Sequence, residues 1–269
     1  MTGLPVQRIN TYIRSFTIGH SLVSLGLKSF KKPMKYIIII SLSALLLSSQ
    51  SCSFSSEDML EKGKSLMKEG KFRDALTYLN KAIEGDNANY EALNARGVVY
   101  YELREYTNAL LDYDQALKLK PDYYRPYYNR ALLKVAQSDG QGALKDYSEA
   151  IRLDSRNAEI FVNRGQLLAA LGQTDAALRD FDQAVNLDEN NAMAWYNRGN
   201  VLFQQGDFKR SIENFEKAVK NDTKFSKAFH ALGIAQLMLQ QKDQGCLNLK
   251  QADRLGYPSA KVSLEQYCK

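Results

Sequence analysis

The chain has 269 residues, of which 45% are hydrophobic, and this is enough to form a sizeable buried core. Its net charge of +6 invites a nucleic-acid partner, but residues 1–51 contain six of the 36 basic residues and no acidic residue. The remainder carries 30 residues of each sign, and a neutral body lacks the positive excess that nucleic-acid binding requires. Composition therefore excludes a nucleic-acid-binding protein.

The sequence predicts that the N-terminal 51 residues are a leader. Lys35 precedes a largely apolar run of 12 residues, Tyr36 to Leu47, that contains no charged residue. As a helix this run would measure about 18 Å, which is too short for a bilayer core of roughly 30 Å but fits the apolar region of a secretory signal. Met34 lies just before the run, so we expect translation to start there and residues 1–33 to be an upstream extension without structure.

Small residues follow the run and end at Cys52. A basic start, an apolar run, small residues and then cysteine resemble the signal of a bacterial lipoprotein. The resemblance implies cleavage before Cys52, its acylation with palmitate and other chains, and a short tether over residues 52–55. It also implies the cell envelope, with Ser53 compatible with the outer membrane and the body facing the periplasm or the surface. The alternative is an ordinary cleaved signal in which Cys52 is incidental.

The rest of the chain repeats itself every 34 residues. One column of the repeat is invariably alanine: Ala82, Ala116, Ala150, Ala184, Ala218 and Ala252. Three residues earlier stands a large apolar residue in every copy: Leu79, Tyr113, Tyr147, Phe181, Phe215 and Leu249. This period and pattern resemble the tetratricopeptide repeat. Six copies cover residues 56–258, beginning near Ser56, Tyr90, Tyr124, Ala158, Ala192 and Ser226.

Each copy predicts two amphipathic helices, A and B, joined by a short turn. In the fifth copy Trp195, Gly199 and Leu202 share one stripe of helix A, and this stripe is expected to face helix B. Glycine inside a helix costs about 1 kcal/mol relative to alanine, so its recurrence at this column predicts close helix packing. The resemblance implies an all-α, right-handed α-solenoid with one continuous core.

Both ends of the solenoid are marked in the sequence. Ser55 and Asp58 are spaced as a capping box that opens the first helix. Residues 259–269 are predicted to form a capping helix over the last repeat. If Cys52 is acylated, Cys246 and Cys268 remain as an even pair in an oxidising compartment, which favours a disulfide over two free thiols.

Catalytic patterns are nearly absent. Downstream of the leader the only histidine is His230, so a His-based triad or a multi-histidine metal site cannot form there. No GxSxG motif, phosphate-binding glycine loop or CxxC pair is found. We therefore predict no enzyme activity, cofactor, metal or small-molecule substrate.

Two polar columns run through the middle copies. The first contains arginine in helix A, with aspartate at matching spacing in helix B, and predicts structural ion pairs within a repeat or between neighbours. Pairing between neighbours, with Arg198 using Asp180, is the interpretation we favour, because Arg198 meets Asn214 in its own copy. The arginines are Arg96, Arg130, Arg164 and Arg198, and the aspartates are Asp112, Asp146 and Asp180.

The second column contains asparagine directly before each arginine, at Asn129, Asn163 and Asn197. In some tetratricopeptide superhelices similar asparagines line the concave groove and hydrogen-bond the backbone of an extended peptide. The alternative is that they are solvated consensus residues without a ligand. The same surface is expected to hold Tyr101, Tyr128, Tyr196, Asn200, Phe203 and His230. Arg125 and Lys227 lie there too, but the basic clamp that grips C-terminal carboxylates in some members is not matched.

These features together predict a lipid-anchored envelope scaffold that binds a protein or peptide partner in the concave groove. Two alternatives remain open. One is an assembly factor similar to the tetratricopeptide lipoproteins that help pilus secretins or outer-membrane barrels assemble. The other is an adaptor for a periplasmic protease.

Overall fold

The structure is a computed structural model that describes residues 55–269. These residues form thirteen α-helices and no strand. The helices are α1 (Ser56–Lys68), α2 (Phe72–Gly85), α3 (Tyr90–Glu102), α4 (Tyr106–Leu119), α5 (Tyr124–Ala136), α6 (Gly140–Leu153), α7 (Ala158–Ala170), α8 (Thr174–Leu187), α9 (Ala192–Gln204), α10 (Phe208–Asn221), α11 (Ser226–Met238), α12 (Lys242–Arg254) and α13 (Pro258–Tyr267).

Odd-numbered helices from α1 to α11 are the A helices of six hairpins, and even-numbered helices are their B partners. Each B helix also packs against the A helix of the next hairpin, so the hairpins stack in chain order. Successive A helices approach one another at most junctions, whereas successive B helices within residues 55–269 do not. The A layer therefore lies on the inner side of the stack. The predicted all-α solenoid of six repeats with a C-terminal cap is confirmed.

The repeated small residues are where the helices meet. Every member of the invariant alanine column is fully buried. A methyl group added to Gly165 would lie 2.7 Å from Cε1 of Phe181, and one added to Gly199 would lie 2.6 Å from Cε1 of Phe215. Because a larger residue would overpack these crossings, typically at about 1–3 kcal/mol, the column is restricted to glycine and, in the third repeat, alanine.

Both ends of the stack are closed locally. The predicted capping box is confirmed: the Ser55 hydroxyl accepts from the Asp58 amide at 3.1 Å, and the Ser55 amide donates to the Asp58 carboxylate at 2.9 Å. At the other end α13 packs against α12 with Ala260 buried. Cys246 and Cys268 form a disulfide with their Cα atoms 5.7 Å apart, and this bond links α12 to the end of α13.

Each arginine of the helix A column joins two neighbouring repeats. Arg130 donates from Nε and Nη2 to both oxygens of Asp146 in its own B helix, at 2.9 and 2.6 Å. Its Nη1 reaches Asp114 in the preceding B helix. The guanidinium also lies 5.6 Å from the centre of the Tyr127 ring. The same arrangement places Arg96 between Asp112 and Asn80, and Arg164 between Asp180 and Ser148.

The column aspartates Asp112, Asp146 and Asp180 pair within their own repeat, so the favoured pairing of these aspartates between neighbours is wrong, and so is the proposed Arg198–Asp180 pair. Asp180 is bound on both oxygens by Arg164 of its own repeat. Arg198 instead donates to the Asn214 side chain at 2.7 Å and to Asp182 of the preceding repeat at 2.7 Å. The physical reason is that the guanidinium has donors on two edges, so it serves its own B helix and the previous one together.

The predicted leader, the start at Met34 and the acylated Cys52 lie outside the described residues. Within residues 55–269, no helix has both the length and the apolar content needed to cross a bilayer.

We expect Asp146→Ala to destabilise the fold strongly, because the Asp146 side chain is only 6% exposed and binds both Arg130 and Lys134. The loss should fall near the lower end of the about 3–5 kcal/mol seen for broken buried pairs, since Arg130 keeps Asp114. Asp182→Ala is the matched control, since that partner of Arg198 is 53% exposed, and it should cost about 1 kcal/mol or less. Urea unfolding measures both, and equal losses would contradict the ranking.

We expect the double variant Cys246→Ser/Cys268→Ser to lose about 3 kcal/mol on the chain-entropy estimate for the 22-residue separation. The loss should be concentrated in α12 and α13, and hydrogen exchange resolves it by helix. Reductant should lower the free energy of unfolding of the wild type to that of the double variant, and it should leave the variant unchanged. A reductant effect on the variant would locate the sensitivity elsewhere.

Candidate functional site

The candidate site is the inner surface formed by the A helices, here called the groove. Two of the three asparagines predicted to line it are engaged within the protein. Asn129 donates from Nδ2 to the side-chain oxygen of Asn94 at 2.9 Å, and Asn163 donates to the hydroxyl of Tyr128 at 2.8 Å. In each case the acceptor belongs to the A helix of the preceding repeat, so these amides tie neighbouring A helices together.

Tyr128 completes a short chain of hydrogen bonds on this surface. Its hydroxyl accepts from Asn163 and donates to the carboxylate of Glu159 at 2.7 Å. Burial raises the pKa of Tyr128 well above its usual range, so the phenol stays protonated and able to donate. Tyr128 is therefore a linking residue between two repeats.

Asn197 differs from the other two asparagines. Its Nδ2 is buried and has no hydrogen-bond partner among residues 55–269. The residue equivalent to Asn94 and Tyr128 in the preceding repeat is Val162, which offers no side-chain acceptor and is 5% exposed. The ladder of asparagine hydrogen bonds therefore stops between α7 and α9.

Asn197 borders a cavity of about 220 Å³ between α7 and α9. Three further amide side chains line it: Gln166, Asn200 and Gln204. No charged residue is among its lining residues. An amide can both donate and accept, so the cavity matches the donors and acceptors of an extended backbone. We call it the amide cavity.

A second cavity of about 230 Å³ lies between α9, α11 and the turn before α13. Four of the predicted groove residues line it: Tyr196, Asn200, Phe203 and His230. Tyr257, from the turn that leads into the capping helix, also contributes. We call it the aromatic cavity. Asn200 borders both cavities, so the two are adjacent.

His230 is half-buried and fixed by the cap. Its Nε2 lies 2.9 Å from the Ser263 hydroxyl, and its ring centre lies 4.8 Å from that of Tyr257. Burial lowers the pKa of His230, so the imidazole is neutral at pH 7. The histidine therefore connects the aromatic cavity to the capping helix and adds no positive charge to it.

The other end of the groove is charged. A cavity of about 510 Å³ there is bordered by Glu61, Lys64, Glu91 and Arg125. Lys64 pairs with both carboxylates, at 2.9 Å to Glu61 and 3.0 Å to Glu91. Tyr101 borders none of these three cavities and packs near Tyr106. The groove thus changes from charged to amide and aromatic along its length.

Two neighbouring aromatic residues show how far the buried part of a helix A extends. Trp195, predicted to be a packing residue, is partly buried against the core and donates from Nε1 to the Glu189 carbonyl at 2.8 Å. Tyr196, predicted to line the groove, borders the aromatic cavity but is only 6% exposed and packs 4.9 Å from Phe225, measured between ring centres. A helix A is covered by its B helix and by both neighbouring A helices, so the buried arc is wider than a single stripe.

Gln166, Gln204 and Tyr257 are groove residues that the sequence analysis missed. The two glutamines are absent from equivalent positions in most copies, so no column marks them. Tyr257 stands at the end of the sixth copy, where the two preceding copies have Thr223 and Glu189, so no aromatic column marks it. Within the described part of the chain, no cluster of His, Cys, Asp and Glu could hold a metal ion.

Comparison with known families identifies the repeats. Residues 60–124 and 192–225 match models described as the tetratricopeptide repeat, and residues 134–172 and 165–206 match one described as the TPR repeat. Together these matches span more than half of the chain.

Curated relatives match over part of their length. The DnaJ homolog subfamily C member 3 of Gallus gallus is 37% identical over 84 residues, which is 31% of this chain and 17% of that protein. The tetratricopeptide repeat and J domain-containing co-chaperone DNJ1 of Cryptococcus neoformans is 26% identical over 112 residues, or 39% of this chain and 22% of that protein. The chain thus spans about a fifth of the relatives it matches.

Solved structures share the fold at low identity. The pilF protein of Pseudomonas aeruginosa has a TM-score of 0.71 at 18% identity, covering 80% of this chain and 97% of its own. YrrB, described as a TPR protein with an unusual peptide-binding site, has a TM-score of 0.58 at 22% identity, covering 70% and 97%. A tetratricopeptide repeat protein from Parabacteroides merdae has a TM-score of 0.58 at 22% identity, covering 86% and 91%. The repeat matches and the stacked hairpins lead to one conclusion: the chain belongs to the tetratricopeptide repeat family.

Proposed function

We propose that the protein is a non-catalytic, lipid-anchored scaffold of the bacterial cell envelope that binds an extended segment of a partner protein in the groove of repeats four to six. Tetratricopeptide repeats are protein-interaction modules, and the matched relatives include a co-chaperone.

The unpartnered Nδ2 of Asn197 is the observation that carries the binding site. Leaving a buried donor unsatisfied costs about 1–3 kcal/mol, so a ligand acceptor that pairs with it recovers that free energy. A peptide carbonyl is such an acceptor, and it reaches the donor when the Asn197 side chain, which borders the amide cavity, turns its solvent-shielded Nδ2 toward that cavity. Asn129 and Asn163 differ in that each already donates one amide N–H to a neighbouring A helix, so neither has a wholly unpaired amide nitrogen.

The surroundings of Asn197 suit a peptide backbone better than a charged ligand. The amide cavity presents Gln166, Asn200 and Gln204 and has no charged lining residue. Extended segments gain affinity from regularly spaced backbone hydrogen bonds. A flexible partner segment fits these features.

The envelope location is supported by two independent features. The first is the sequence from Lys35 to Cys52, which resembles a lipoprotein signal. The second is the Cys246–Cys268 disulfide, since structural disulfides persist in oxidising compartments such as the bacterial periplasm and are rare in the cytosol. An exported, anchored protein is consistent with both.

We expect Asn197→Ala to weaken partner capture while leaving stability nearly unchanged or slightly improved, because it removes an unsatisfied donor. Asn163→Ala is the matched control: it should lower stability through loss of the Tyr128 hydrogen bond and affect capture less. Capture is measured in cells with a photo-crosslinking amino acid placed at position 204, which borders the same cavity.

A second variant tests the same donor by giving it an acceptor within the protein. Val162→Asn supplies the acceptor that Asn94 provides two repeats earlier, so it should bind the Asn197 amide internally and reduce crosslinking as Asn197→Ala does. Crosslinking that survives both Asn197→Ala and Val162→Asn would place the binding surface outside the amide cavity.

We expect Cys52→Ser to abolish palmitate labelling and to release the protein from the membrane fraction, because stable anchoring depends on the acyl chains. Cys246→Ser serves as the control and should keep both the label and the membrane association. Retained labelling in Cys52→Ser would contradict the lipoprotein assignment without bearing on the groove.

A further inference from the structure

The aromatic cavity has the size and walls of a pocket for one side chain. Its volume of about 230 Å³ is below the roughly 300–1,000 Å³ typical of sites for drug-sized ligands. Tyr196 and Phe203 from α9, Ile234 from α11 and Tyr257 from the cap turn surround it. Apolar walls of this kind gain free energy by burying an aliphatic or aromatic group.

One charged side chain borders this cavity. Lys227 is exposed, and its Nζ lies 5.4 Å from the centre of the Tyr196 ring. Among residues 55–269 no carboxylate lies within 4.0 Å of this ammonium group, in contrast to Lys64 at the opposite end of the groove, which contacts two. The neutral His230 and the amide of Asn200 are the other polar lining groups. An acidic group beside the bound side chain would therefore meet a lone positive charge.

The two cavities are joined through Asn200, so a single extended segment can reach both. Next to the aromatic cavity the segment meets an ammonium group, and one repeat earlier it meets the Asn197 donor. The apolar pocket and the lone cation select the side chains of a bound segment, and the side-chain donor of Asn197 selects its extended conformation.

We propose that repeats five and six with the cap recognise an internal partner segment in which an apolar residue is followed or preceded directly by an aspartate or glutamate. The apolar side chain enters the aromatic cavity, the acidic side chain pairs with Lys227, and a backbone carbonyl accepts from Asn197. This inference rests on the proposed function and specifies the segment that the groove takes.

A display selection on the purified full chain tests the specificity. The probe is a library of random eight-residue segments held between flexible linkers, so that no free C-terminal carboxylate is presented. We expect enriched segments to pair an apolar residue with a neighbouring acidic residue. Lys227→Glu should replace the acidic preference by a basic one while the apolar preference persists, because only the charge at the cavity edge has changed.

Filling the cavity tests the other half of the inference. Ala231→Phe and, independently, Asn200→Phe should remove the apolar preference and weaken selected segments by about tenfold or more. Thermal unfolding checks that each variant is folded, and the two variants approach the cavity from different helices. Gln166→Ala, in the amide cavity alone, should keep both preferences.

The outcomes separate this inference from the proposed function. The specificity inferred here is overturned if Lys227→Glu selects the same acidic segments as the wild type. It is also overturned if the preference for an apolar residue survives both cavity-filling variants. If binding nevertheless falls in Asn197→Ala, the groove still binds a partner and the proposed function stands. A parallel library presents segments with a free C-terminal carboxylate. If only those segments are selected, the inference is also overturned.

Discussion

The guanidinium of each helix A arginine is the interaction on which the stack depends most directly. It binds the B helix of its own repeat on one edge and the B helix of the preceding repeat on the other, as Arg130 does with Asp146 and Asp114. An aromatic ring of the same A helix lies beside it. One side chain thus links three helices in each of the four repeats that contain it. On the inner side of the stack the A helices approach one another and form the groove.

The fold could be predicted from the sequence because the apolar and small residues of the helix crossings recur in all six copies. A position that must be alanine for a close crossing appears as a column, and the helix starts are in phase with it. The hydrogen-bond partners of each arginine could not be predicted in this way. Arg198 is sixteen residues after Asp182 and sixteen before Asn214, so the period gives no preference between the two. Only the geometry of the guanidinium shows that both are used.

The candidate site could be predicted only in part, for a related reason. The asparagine column points to the inner surface of the A helices, yet Asn129, Asn163 and Asn197 look identical in sequence. What distinguishes Asn197 is Val162, a residue thirty-five positions earlier whose side chain cannot accept a hydrogen bond. Likewise, Tyr257 belongs to no column, and its place in the aromatic cavity follows from how the cap turn folds back on α11.

In a solenoid of equivalent repeats, specificity has to come from positions where the equivalence fails, because identical repeats offer a ligand the same contacts in every register. Three such failures lie close together. Val162 ends the asparagine ladder, Leu232 replaces the arginine in the sixth repeat, and the cap turn supplies Tyr257 where a seventh repeat would otherwise stack. The first leaves a donor without a partner, and the last closes an aromatic cavity beside an unpaired lysine. A partner segment held by these contacts can bind in only one register, which a uniform groove could not enforce.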